Sequence, residues 1–137
     1  MLILDRYSII RQAIENIDCW IVLAIGKDNT LYSLYNYDEN FVLGKEKVSN
    51  EKIEIERCKI HSSWYFDDGY ETCVNNCFLT YAHKEDALNA VKFCPSKVVV
   101  AHCLIPVNSN YIMGDIDSIS ANPAGYVSDR LYIDKLC

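Results

Sequence analysis

The densest apolar pattern lies in the second half of the chain, where Lys97 to Ile105 reads KVVVAHCLI. In an extended backbone Val98, Val100, His102 and Leu104 share one face, and Val99, Ala101, Cys103 and Ile105 share the other. A strand apolar on both faces needs cover on both, so the pattern predicts a central sheet position, closed by Pro106, which cannot donate to a ladder. Upstream, CWIVLAI (Cys19 to Ile25) and LYSLYNY (Leu31 to Tyr37) flank the turn formers Gly26-Lys27-Asp28-Asn29 and predict a hairpin. Ile53 and Ile55 alternate with Glu54 and Glu56, the signature of a half-buried strand. Tyr111 to Met113 and Leu131 to Ile133 predict two further short strands, joined by a loop holding Asn122-Pro123-Ala124-Gly125.

Two stretches have helical spacing. After Asp5, a candidate N-cap, Tyr7, Ile10, Ala13, Ile14 and Ile17 fall at three-and-four intervals, predicting a first helix that ends near Asp18. Lys84 to Phe93 predicts a second, with Glu85 and Asp86 in its first turn and Lys92 in its last, a buried face of Ala87, Leu88, Val91 and Phe93, and Pro95 as its stop. His83 stands at its entry. The fold class expected is α+β: a single domain over residues 1–137, with a mostly antiparallel twisted sheet of about five to seven strands and two helices.

Composition narrows the function. The 137 residues are 50% hydrophobic, enough for one core without metal or disulfides. A formal charge of -6 argues against direct nucleic-acid binding, which needs a clustered basic face, and favours a protein partner with a basic surface. No apolar run approaches the roughly 20 residues of a bilayer span, and Met1 to Arg6 lacks the features of an export signal. The expectation is a cytoplasmic protein of a bacterial host cell, not bound to membrane, with its seven cysteines reduced.

Candidate chemistry is sparse. Cys58, His61, Cys73 and Cys77 have the spacing of two short arms that could close a tetrahedral zinc site, although neither arm has a glycine-rich knuckle. His102 and Cys103 are adjacent in a strand, point to opposite faces and cannot form a nucleophile–base dyad. For His102 a core histidine hydrogen-bonded to backbone is the plainer reading. Asp115 and Asp117 share one side of an extended segment without a third carboxylate at suitable spacing. No catalytic residue, cofactor site or metal site is assigned on these grounds. The segment Trp64-Tyr65-Phe66-Asp67-Asp68-Gly69-Tyr70-Glu71 joins large rings to acids within a predicted long loop over residues 61–76. Rings supply hot-spot energy and acids select a basic partner, so Trp64, Tyr65, Phe66, Asp67, Asp68, Tyr70 and Glu71 form the candidate partner-binding face.

Residues 77 to 134 carry an aromatic strand (CFLTY), a short helix (HKEDALNAVKF), a strand ending in Ile-Pro (VVVAHCLIP), Tyr111 to Gly114 and a final GYVSDRLYI. In this order they resemble small accessory proteins of bacteriophages, prophages and gut-type bacteria, some of them distantly similar to ADP-ribosyltransferase-like folds. The resemblance implies a mobile-element context. The transferase fold implies a glutamate on a late strand, and residues 126–137 contain none. Two functions are therefore expected in order. The first is a non-enzymatic acidic protein-binding module that inhibits a host nucleic-acid-handling or defence protein, in the manner of an anti-CRISPR. The alternative is a small degenerate ADP-ribosyltransferase-like enzyme or nucleotide-binding protein.

Overall fold

In the computed structural model, which describes residues 1–34, 39–59, 70–94, 97–118 and 122–137, one antiparallel sheet dominates. Its strands are β1 (Leu2–Ile3), β2 (Arg11–Gln12), β3 (Ile17–Ile25), β4 (Leu31–Ser33), β5 (Asn40–Phe41), β6 (Glu46–Val48), β7 (Glu56–Lys59), β8 (Tyr70–Val74) and β9 (Phe78–Tyr81). Helix α1 (Lys84–Val91) precedes β10 (Val98–Ile105), β11 (Asn110–Ile116), β12 (Ala124–Ser128) and β13 (Arg130–Leu136). Among the described residues all 13 strands belong to one sheet, whose main path runs β6-β13-β10-β3-β9-β12-β11-β1-β8-β7. The fold is thus mostly β, and the α+β expectation of two helices and about five to seven strands is corrected.

The first predicted helix does not form. Residues 5–17 run as turns and short extended pieces, with Ile14 92% and Tyr7 71% exposed. The helical spacing there reflected a few apolar side chains left in solvent. The segment is tied instead to the β10–β11 connection, since Ala13 N donates to Ser109 O and Asn108 N to Ala13 O. Backbone pairing with a distant loop outcompetes a local helix whose apolar stripe would have had nothing to cover.

β10 occupies the central place its sequence predicts. It pairs with β3 through eight residue pairs from Val98↔Ala24 to Ile105↔Ile17, and with β13 on its other edge. The Cys19–Ile25 and Leu31 hairpin arms pair as β3 and β4. Three strands lie where the patterning predicted loop or misplaced the strand: β8 within the expected long loop, β12 starting at Ala124, and β7 beginning at Glu56 rather than at Ile53.

The two faces of the sheet bury separate cores. On one face Cys19, Ile21 and Leu23 of β3 meet Ala101, Cys103 and Ile105 of β10, Leu131 and Ile133 of β13, and Phe41 and Phe78. On the other face α1 covers Val22 and Val100 with Ala87, while Ala90 and Val91 pack beside it. Leu88 and Phe93 are exposed at 44% and 67%, so the helix buries small side chains and lies close to the sheet. His83 is its N-cap residue without a side-chain cap bond, and Lys92 follows its last turn. A third core gathers Leu2, Leu4, Val74, Ile112, Ile116 and Val127 under β1, β8, β11 and β12. Gly125 permits this packing, because a Cβ there would lie 2.6 Å from Ile116 Cδ1 and 2.7 Å from Thr80 O.

Candidate functional site

A cleft of about 770 Å³ lies among the residues after β4, the β5–β6 region, the β8–β9 turn and the C-terminal end of α1. Its lining includes the aromatic rings of Phe41, Phe78, Tyr81 and Phe93 and the polar side chains of Glu39, Lys47, Glu51, Cys77 and Asp117. Phe41 and Phe78 meet edge to face at 6.0 Å. The Lys47 ammonium lies 4.8 Å from the Phe41 ring centre and donates to Asn40 O. Among the described lining side chains the carboxylates of Glu39, Glu51 and Asp117 outnumber the Lys47 ammonium.

The β8–β9 turn shapes the cleft rim. Cys77 sits there at φ 61°, in the left-handed region that costs a non-glycine residue about 1–3 kcal/mol. Asn76 secures the turn: its Oδ1 accepts from Glu54 N at 3.1 Å, and its Nδ2 donates to Lys52 O at 2.6 Å and Glu51 Oε2 at 3.1 Å. The Cys77 thiol donates to Glu51 O at 3.6 Å. Burial pushes this thiol above its ordinary range, and Asp129, Glu51 and Glu54 push the same way while a bond to Ser49 opposes them. A raised thiol is a poor nucleophile at neutral pH. Glu39 is likewise raised, by burial first, with Lys47 pulling it down.

His102 lies elsewhere, on β10, and its surroundings differ from the expected backbone-bonded core histidine. Nε2 is 2.8 Å from Asp18 Oδ1 on β3, Nδ1 is 2.9 Å from Asp134 Oδ2 on β13, and the Trp20 ring is 5.5 Å away. A ring nitrogen can serve as general base only if a lone pair is free, and here a carboxylate stands at each nitrogen. The arrangement is a side-chain clamp across three strands. Cys103, on the opposite face, is wholly buried beside Cys19, and the contact with Cys19 raises its thiol most, followed by burial.

The four residues with zinc-ligand spacing, to which no metal was assigned, lie as follows. Cys58 on β7 and Cys73 on β8 are joined as a disulfide, their Cα atoms 5.9 Å apart, which corrects the expectation that every cysteine is reduced. Cys77 faces the cleft rim with its own partners, and His61 lies outside the described residues. Among the described residues the Glu56 carboxylate joins the two sulfurs in a group with donor atoms within 4.8 Å of one another.

Of the candidate partner-binding face, Trp64, Tyr65, Phe66, Asp67 and Asp68 lie outside the described residues. Tyr70 opens β8 by its backbone, paired with Lys59, and Glu71 is exposed on the same strand. Asp115 is exposed on β11 and Asp117 reaches the cleft, so the two do not act together. Sequence reasoning missed Glu39, Lys47 and Phe41 as cleft residues, because no spacing relates them to Phe78 or Phe93. Asn75-Asn76-Cys77 held one usable signal, a run of residues tolerant of the left-handed turn that the β8–β9 connection adopts. No family model matches the chain, and no curated protein or solved structure matches it either.

Proposed function

We propose that this protein is a non-enzymatic binding module whose acidic, aromatic-lined cleft takes a basic and partly apolar segment of a protein partner. The observation that carries the reading is the cleft itself: about 770 Å³ lined by Phe41, Phe78, Tyr81 and Phe93 together with Glu39, Glu51 and Asp117. Aromatic anchors supply contact energy, and carboxylates select cationic side chains. The net charge of -6 steers the same kind of partner at longer range. The groups that chemistry would need are spent elsewhere, since the Cys77 thiol is raised and His102 is clamped between two carboxylates. In its concrete form the partner is a basic nucleic-acid-handling or defence protein of a bacterial host, a context supported by the resemblance of residues 77–134 to phage accessory proteins.

The test is binding of fluorescent peptides that mix Lys or Arg with Leu and Phe, measured against acidic peptides of equal length. Micromolar binding of the basic set, lost on reversing Glu51 and Asp117 to Lys and unchanged in His102→Ala, is the expected result. Equal binding of both sets, or no effect of the reversals, would reject the reading.

A second reading has one observation behind it. Glu39 is a carboxylate raised by burial within a cleft, a common mark of an acid–base group. It supports a nucleotide-binding or degenerate transferase enzyme. Consumption of a nicotinamide dinucleotide by the purified chain, abolished in Glu39→Gln, would establish that reading over the first.

A further inference from the structure

We propose that Glu56, Cys58 and Cys73, with the cysteine pair reduced, form a binding site for a thiophilic divalent cation of the Zn²⁺ class at the β7 edge of the sheet. The register places the donors together. Glu56 stands directly opposite Cys73 across the β7–β8 pair, and Cys58 is two residues along the same strand, so all three side chains leave the same face. Their donor atoms lie within 4.8 Å of one another. A tetrahedral ion with bonds of ~2.3 Å to sulfur and ~2.0 Å to oxygen needs ligand separations of about 3.5–3.8 Å, within reach of side-chain adjustment alone.

The surroundings suit an anionic donor set. Asn75, two residues after Cys73 and on the same face, points its amide nitrogen at Glu56 Oε1 (2.8 Å), Cys58 Sγ (3.2 Å) and Cys73 Sγ (3.8 Å). One amide group donating toward a carboxylate and two sulfurs is the orienting arrangement that ligands of a metal receive from their neighbours. Cys73 is fully buried and Glu56 exposed, so the ion would sit with sulfur beneath it and solvent above. Three protein ligands leave the fourth position for water or for Glu71, which faces Cys58 across the ladder.

The disulfide and the metal site exclude each other, because each uses both sulfurs. Opening the disulfide takes two electrons from two molecules of a small thiol, which leave as their own disulfide while their protons pass to Cys58 and Cys73. Metal binding then releases both protons. The oxidised chain is cross-linked and the reduced chain is competent for metal.

The experiment uses the intact chain, reduced, stripped with a chelator and titrated anaerobically with Co²⁺ and then Zn²⁺. One equivalent of Co²⁺ should bind with thiolate-to-metal charge-transfer absorption and the intense visible bands of a tetrahedral site, and Zn²⁺ should displace it. Cys58→Ser should abolish the charge-transfer band, and Glu56→Gln, which removes the carboxylate ligand's charge, should weaken binding while keeping the band. The oxidised chain should show none of this. Glu56 is exposed, so its variant tests the site even if Cys58→Ser fails to fold. Far-UV circular dichroism follows the reduced chain: sheet signal that is retained, or lost and restored by metal, accords with the proposal. Reduced protein giving no sulfur charge transfer, folded or not, overturns it, as does Co²⁺ binding that ignores both substitutions.

Discussion

Asp134 meets His102 at a β-bulge between β10 and β13. β13 pairs Lys135 with His102 and Ile133 with Cys103, leaving Asp134 without an opposite residue and turned toward the imidazole Nδ1 at 2.9 Å. Strand alternation places Leu131 and Ile133 in the core and Asp134 on the other face, with His102. With Asp18 at Nε2, three neighbouring strands are held by one ring.

Removing this clamp should cost little but measurably. Asp134→Ala is expected to lower stability by about 0.5–1 kcal/mol, and Asp18→Ala by less, because the Asp18 side chain is 68% exposed against 39% for Asp134. Urea unfolding at low and high salt checks both, and the difference from the parent chain should shrink at high salt.

Glu39 predicts a pH effect of definite sign. Its folded pKa is raised, so the folded chain binds the proton more tightly than the unfolded one and its charged form is a burden above that range. Stability contributed by this group therefore rises as pH falls through the folded value. Glu39→Gln should stabilise the protein at pH 7 by up to about 0.5 kcal/mol after solvent screening, with the gain fading toward pH 4. Thermal unfolding of both chains across that interval reads the effect, and a gain that grows on acidification would contradict it.

Thr80 is wholly buried, and its hydroxyl has no hydrogen-bond partner among the described residues. Thr80→Val keeps the shape and removes the orphaned group. Chemical denaturation should show a gain of about 1 kcal/mol, of the size expected when an unsatisfied buried polar atom is deleted.

The free thiols should react in the order of their burial. Cys137 is exposed, Cys77 is half-buried with a raised pKa, and Cys19 and Cys103 are enclosed between β3 and β10. Timed alkylation at pH 7 with mass-spectrometric mapping should label Cys137 first and Cys77 slowly. Cys19 and Cys103 should react only on unfolding. Early labelling of Cys77 would mean that its thiol is activated rather than suppressed.

Much of the second half was legible because its cues were local. Lys97 to Pro106 carried its own evidence of two-sided burial, and Lys84 to Lys92 had acids at its start and a proline beyond its end. Tyr7 to Ile17 misled for the same reason: its spacing was helical, but no surface in the fold stood ready to receive that stripe. β8 and β12 were hidden by turn-forming residues such as Asn75, Pro123 and Gly125, and both are strands because partners on each side complete their ladders.

By itself the amino-acid order determined the central strand, the hairpin, the covering helix and the acidic balance, all of which follow from neighbours a few positions apart. Only the tertiary structure decided the 13-strand sheet, the cleft that unites Glu39 with Cys77 and Phe93, and the meeting of Glu56 with Cys58 and Cys73. The physical reason is that pairing register is a property of two strands at once. A single bulge or slipped pair changes which side chains share a face, and no composition or local period encodes that choice.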